Sequence, residues 1–188
     1  MQRIYFFFVF IVILWINISC KKADDKILLE KFTTWDSLID SIPYAISDSL
    51  SLIDYNDLSR TTRAYYNLLK VVSDDKTYVN FTSDSTINSV AAWYKGHDPQ
   101  NTNYIRALAY QGIVRTRLGV KDSTVYEPLR EADKLLQYMP HPDPSLGYLV
   151  NYFLGNIHYS SRNYSSAAQY YQKTLDYAHK ENNSTHIF

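Results

Sequence analysis

The chain is predicted to be all-α, built from about four antiparallel helix pairs, and three observations carry that prediction. First, three blocks follow one another at intervals of 43 residues: Arg63-Ala64-Tyr65-Tyr66-Asn67-Leu68-Leu69, Arg106-Ala107-Leu108-Ala109-Tyr110-Gln111-Gly112 and Leu149-Val150-Asn151-Tyr152-Phe153-Leu154-Gly155. A fixed period of this kind marks stacked supersecondary units. Second, apolar residues recur with helical spacing, and no useful length alternates with the period of two that a strand requires. Third, eighteen tyrosines stand against five glycines in 188 residues, which suits packed helices with amphipathic rims better than a loop-rich fold.

The elements follow in chain order. Arg3 precedes an unbroken apolar run from Ile4 to Ile16. That run is short of the roughly 20 residues a bilayer span needs, and it fits the apolar core of a secretory signal. Asn17-Ile18-Ser19-Cys20 resembles a bacterial lipobox. The resemblance implies a signal over residues 1–20 and a lipid on Cys20, the chain's single cysteine, holding the protein to a membrane surface rather than through it. An uncleaved apolar anchor with an incidental cysteine is the alternative. Residues 21–26 read as a charged tether, and 27–188 as the helical region. Leu28, Phe32, Trp35, Ile39 and Ile42 line one predicted helix. Pro43 starts the next, where its missing N–H costs nothing, with Ile46, Leu50 and Ile53 inward.

Each 43-residue block opens a first helix, and a second follows at about 83–95, 123–138 and 165–180. Their predicted inward stripes are Ile87, Val90, Ala91 and Tyr94; Val125, Leu129, Ala132 and Leu136; and Ala167, Tyr171, Leu175 and Ala178. Ser83/Asp84, Asp122/Ser123 and Ser145 stand where N-caps belong, Gly96 and Gly119 where chains turn left-handed, and Pro140, Pro142 and Pro144 where one helix stops.

The third pair, clearest over 148–181, resembles a tetratricopeptide repeat through Leu154-Gly155, Tyr164, Ala167 and Tyr171. His158, Asn151 and Thr174 stand where that motif has other residues. Gly112 and Ala132 fit in the second pair, and the 43-residue spacing implies loops longer than the usual unit has. The order of segments over most of 30–180 is similar to envelope tetratricopeptide-repeat proteins of Bacteroidetes, which implies an α-solenoid. With Lys21 after the cysteine, it also implies a place at the cell envelope, the outer membrane favoured. The last residues, NNSTHIF, look like the start of a further repeat, so a truncated member with an open apolar end is expected.

Catalytic chemistry is not expected. Apolar residues make up 46% and the formal net charge is zero, which disfavours disorder and leaves no basic face for nucleic acid. His97, His141, His158, His179 and His186 are scattered without metal-ligand spacing, no glycine-rich phosphate loop is present, and no cofactor or metal is implied. His158 reads as a packing residue. Asp24-Asp25 and Asp74-Asp75 are neighbours whose side chains diverge, so they read as solvated charges. Asp36-Ser37, Asp48-Ser49, Asp84-Ser85 and Asp122-Ser123, each followed by Leu or Thr, resemble acceptors for periplasmic O-glycosylation; capping is the preferred reading for the last two.

The resemblance places first helices along a concave groove. It implies a protein or peptide partner touching Arg63, Tyr66 and Lys70; Arg106, Ile113 and Arg117; and Leu149, Tyr152, Asn156 and Tyr159. Cationic entries and a tyrosine floor suit a peptide of acidic character. The expected function is a membrane-anchored, non-enzymatic scaffold. The alternative is the sensor fragment of a larger envelope signalling or transcription-regulatory protein. Ordinary solvated surface is the competing reading of the groove residues.

Overall fold

A computed structural model describes residues 25–181. The leader, Cys20 and the final NNSTHIF lie outside the described residues. Eight α-helices and one short 3-10 turn occur among the described residues, with no strand. They are α1 over 25–38, α2 Pro43–Ser51, α3 Arg60–Lys76, α4 Ser85–His97, α5 Thr102–Arg117, α6 Ser123–Tyr138, α7 Pro144–Ser160 and α8 Tyr164–Glu181. The chain divides into two compact units, with the boundary inside α3 between Ser73 and Asp74. It therefore separates the two helices that the 43-residue register assigns to one repeat.

The first unit is organised around an aromatic hub. Phe32 is fully buried, with the rings of Trp35 at 5.8 Å and of Tyr65 and Tyr66 at 6.1 Å. The polar tips of the two tyrosines are satisfied. Tyr65 donates to Asp36 Oδ2 at 2.8 Å and Tyr66 to the Leu50 carbonyl at 3.3 Å, as buried tyrosines require. α1 already includes Asp25 and Lys26, which the sequence reading placed in a tether. Pro43 occupies the first turn of α2 as expected. Ile42, expected inward, is 45% exposed, because α1 ends at 38 and Ile42 serves as the N-cap residue of α2.

In the second unit each helix packs against its sequence neighbour: α4 on α5, α5 on α6, α6 on α7 and α7 on α8, with a further contact between α5 and α7. The stripes predicted for α4 and α6 are buried throughout. On α8, Ala167 and Ala178 are buried, but Leu175 is 40% exposed and Thr174 is buried in its place; Thr174 tolerates this by donating its hydroxyl to the Tyr170 carbonyl at 2.9 Å. The exposed side of α8 is otherwise mostly polar, with Gln169, Gln172, Asp176 and His179. The open apolar end expected at NNSTHIF falls outside the described residues.

Helix ends repeat more regularly than helix faces. α3, α5 and α7 each end on a left-handed residue: Tyr78 (φ 59°), Gly119 (φ 78°) and Arg162 (φ 60°). After each, the next amide reaches back five residues: Val79 to Asp74, Val120 to Arg115 and Asn163 to His158, at 2.9–3.0 Å. This is the Schellman arrangement, which satisfies carbonyls a helix end would leave bare. Gly119 fits its predicted role. Gly96 does not, since it lies inside α4 with open space where a Cβ would stand. At the N-termini, Asp122 accepts from the Thr124 amide as predicted, but α7 is capped by Asp143, which accepts from Ser145 and Leu146, rather than by Ser145. The expected long loops hold only in part, since three residues, 161–163, join α7 to α8.

Two glycines 43 residues apart, Gly112 and Gly155, set the approach of paired helices. A Cβ on Gly112 would lie 2.6 Å from Leu129 Cγ and 2.8 Å from the Val125 carbonyl oxygen. On Gly155 it would lie 2.5 Å from the Tyr171 ring, and on Gly147, a third such site, 2.4 Å from the Tyr177 ring.

A polar clamp at Arg115 joins three helices. Its Nε donates to Asp84 Oδ2 at 2.8 Å, its Nη2 to Asn88 Oδ1 at 3.0 Å and its Nη1 to the Thr124 carbonyl at 2.8 Å. Thr124 has that carbonyl to offer because Pro128, buried inside α6, lacks the N–H that would bond it four residues back. The arginine replaces the missing helical bond.

Gly112→Ala is expected to destabilise by about 1–3 kcal/mol, because the Val125 carbonyl cannot yield. Gly96→Ala, in open helix, is expected to stabilise by up to about 1 kcal/mol. Urea denaturation of both checks this, and a Gly112→Ala protein as stable as wild type would refute the close approach. Arg115→Gln is expected to cost about 1–2 kcal/mol at pH 7 after allowance for partial exposure. The Arg115 hydrogen bond, then that of Asn88, holds the Asp84 carboxyl below its ordinary value. Its contribution is therefore present above the unfolded value near ~3.9 and is lost as pH falls through the folded one. The gap between wild type and Arg115→Gln should accordingly narrow between pH 5 and pH 3; a constant gap would place the effect elsewhere.

Candidate functional site

α7 is the helix on which a surface can be built. Its seventeen residues, PSLGYLVNYFLGNIHYS, contain no Asp, Glu, Lys or Arg. One side is buried through Leu146, Gly147, Val150, Asn151, Phe153, Leu154 and Gly155. Tyr148, Tyr152, Asn156 and Tyr159 recur at spacings of four, four and three, which sets them along another side of the helix. Tyr152 is 41% and Tyr159 59% exposed, and Tyr148 and Asn156 are half-buried.

These side chains are held by one another. Tyr148 and Tyr152 stack at 6.1 Å with planes 6° apart, and Tyr152 stands perpendicular to Phe153 at 5.7 Å. Tyr171 of α8, whose ring fills the space Gly155 leaves, donates its hydroxyl to Asn156 Oδ1 at 2.8 Å. Tyr159 meets Tyr164 edge-on at 5.6 Å. Burial pushes the Tyr148 hydroxyl above its ordinary range, with the neighbouring Tyr152 adding to it.

Arg117 is the last residue of α5. Its Nε donates to Asp75 Oδ1 at 2.8 Å, with the arginine side chain 50% exposed and the aspartate only 11%. Asp75 is thus not the solvated charge its sequence suggested. The guanidinium also lies 6.0 Å from the Phe153 ring. Asp75, Tyr78, Val79, Asn80, Phe81 and Arg117 line a pocket of about 180 Å³. The Asp75 hydrogen bond, followed by its charge, raises the Arg117 pKa further above an already high value, so the cation is permanent.

The remaining candidate residues are placed differently. Arg106 and Leu149 are half-buried, and Ile113, expected to line the groove, is fully buried in the core. Arg63, Tyr66 and Lys70 belong to the first unit. There Arg63 Nη2 donates to the Leu58 carbonyl at 3.1 Å and the Tyr55 carbonyl at 3.3 Å, with its guanidinium 4.6 Å from the Tyr55 ring. Arg63 and Tyr66 thus serve the segment joining α2 to α3 and their own hub; Lys70 is half-buried. His158 packs as expected, stacked on Tyr170 at 5.2 Å and edge-on to Tyr126 at 5.5 Å; its Nε2 is buried without a hydrogen-bond partner among the described residues. Burial pushes the neighbouring Tyr170 hydroxyl up to about 12.

Sequence reading missed Asp75, Phe153 and the 78–81 loop as neighbours of Arg117, and Tyr148 as the stacking partner of Tyr152. The absence of charge along α7 was the available signal. No protein-family model, no curated protein and no solved structure matches the chain. Among the described residues, no helix is long and apolar enough to cross a membrane.

Proposed function

We propose that the protein is a non-enzymatic helical-repeat scaffold of tetratricopeptide type, anchored to the cell envelope through its N-terminus, that binds a protein or peptide partner on the exposed tyrosine side of α7. One observation carries the binding surface: the charge-free α7 presents Tyr148, Tyr152, Asn156 and Tyr159 in one row, fixed by ring stacking and by the Tyr171 hydroxyl. Tyrosine gives large contact area at low entropic cost and one hydrogen bond per ring, which is why it is enriched where proteins meet. Supporting the repeat reading, Gly112 and Gly155 recur at 43 residues with the same role, and Gly119 and Arg162 recur at 43 residues with the same terminal geometry. The anchor rests on the apolar run Ile4–Ile16 and Cys20; from the resemblance of that segment, a lipid on Cys20 at the outer membrane is the address proposed.

A photo-crosslinking amino acid at position 152 is expected to give a discrete adduct in cells, whereas one at position 169, on the exposed polar side of α8, gives none. Equal labelling at both positions, or none at 152, would overturn the surface. Cys20→Ala is expected to move the protein from the membrane fraction to the soluble one on ultracentrifugation. Retention after that change would mean that the apolar run itself is the anchor.

A further inference from the structure

The pocket beyond the end of α3 is built round an ion pair that uses half of its bonding capacity. Asp75, Tyr78, Val79, Asn80, Phe81 and Arg117 line it, and all six belong to the second unit. A carboxylate and a guanidinium can meet through two parallel hydrogen bonds. Here one forms, from Arg117 Nε to Asp75 Oδ1 at 2.8 Å, and Nη1 and Nη2 make no hydrogen bond among the described residues. Asp75 Oδ2 has no partner among them either, and it is not sealed from solvent as the orphaned polar atoms of Arg63, Asn151 and His158 are. Because the Asp75 side chain is only 11% exposed, the opening that reaches Oδ2 is the pocket that Asp75 lines. A free acceptor thus stands beside free donors.

The sign of the charges limits what such a pair takes. A lone anion drawn to the Nη edge meets the Asp75 carboxylate, and a lone cation drawn to Oδ2 meets the guanidinium. A dipolar ion gains from both, provided that its own charges lie side by side. The ammonium and carboxylate of an α-amino acid do, since one carbon bears them, and each then forms hydrogen bonds in which both partners are charged.

Size and lining narrow the ligand further. At about 180 Å³ the pocket is smaller than the roughly 300–1,000 Å³ of sites that hold drug-sized ligands. Tyr78, Val79 and Phe81 furnish an apolar wall; Tyr78 is 83% and Val79 49% exposed, so covering them removes apolar surface from water. Asp75 and Arg117 are the only charged side chains lining the pocket, so a charged side chain on the ligand would find no partner of its own.

We infer that this pocket binds a free α-amino acid with an apolar side chain. Its carboxylate takes the Nη edge of Arg117, its ammonium donates to Asp75 Oδ2, and its side chain lies against Tyr78, Val79 and Phe81. The site is independent of the tyrosine row on α7, whose residues line no part of it.

The test titrates the full 188-residue chain in detergent micelles with L-leucine, followed by saturation-transfer-difference NMR with empty micelles as the blank. Saturable binding is expected. N-acetyl-L-leucine, which lacks the ammonium, and L-leucinamide, which lacks the carboxylate, should each bind about tenfold or more weakly, the range of charge-assisted hydrogen bonds. Asp75→Asn should remove or reverse the difference between leucine and its N-acetyl form, and Arg117→Gln that between leucine and its amide. Circular dichroism establishes that each variant is folded. The inference is overturned if leucine does not bind saturably, if the three ligands bind the wild-type chain alike, or if either variant keeps both differences. The first two outcomes are read on the wild-type chain and do not depend on any variant.

Discussion

Paired helices in the second unit can touch only because the first helix of each pair carries no side chain where the second crosses it. At Gly112 the close approach reaches the backbone itself, against the Val125 carbonyl. At Gly155 the same absence of a Cβ admits the Tyr171 ring onto α7. This second contact has a consequence at the surface. With its ring seated there, the Tyr171 hydroxyl reaches Asn156, one of the row of residues that α7 presents outward. The packing of the pair and the order of its surface are therefore one constraint.

Close approach buries polar backbone and side chains, and those must be satisfied or the gain is lost. Two clamps do this. Arg115 ties the start of α4 to α5 and supplies the bond that Pro128 removes from α6. Asp133 on α6, largely buried, accepts from Lys173 Nζ of α8 at 3.0 Å and from Gln137 Nε2 at 2.8 Å. Replacing such a pair by apolar residues is often tolerated, whereas removing one partner leaves a buried charge. These clamps therefore fix which helices meet more than they add to stability.

Sequence periodicity made the helices legible because burial imposes it directly. The stripes of α4 and α6, the N-cap at Asp122, the first-turn Pro43 and the close approach at Gly155 were all readable from residue type and spacing. Readings failed where a partner distant in sequence decides the outcome. Asp75 looks solvated beside Asp74, and only the arrival of Arg117, 42 residues on, makes it an anchor. Gly96 resembles a terminal residue, yet α4 simply continues through it. Leu175 and Thr174 exchanged roles because Thr174 can donate its hydroxyl to its own helix, which makes a buried threonine acceptable where composition favours leucine. Ile113 was assigned to a groove by its place on a first helix, whereas the contacts of α5 with α4, α6 and α7 leave it in the core.

Charge, rather than hydrophobicity, separates the exposed faces of the second unit. α6 has five charged residues in sixteen, and α8 exposes Gln169, Gln172 and Asp176. α7, of similar length, has none. A helix that merely faces water has no reason to exclude charge, since Lys and Glu are better helix formers than Tyr and keep surfaces apart. A helix buried all round excludes charge but has no use for exposed tyrosine hydroxyls. α7 does neither: it is charge-free like a core helix and still exposes Tyr152 and Tyr159. That combination is what the proposed interface would require, because every charge placed there would have to be desolvated on binding whereas a tyrosine brings its own hydrogen bond. Arg117, whose guanidinium lies 6.0 Å from the Phe153 ring of this helix, is already held by an acid of its own unit, Asp75.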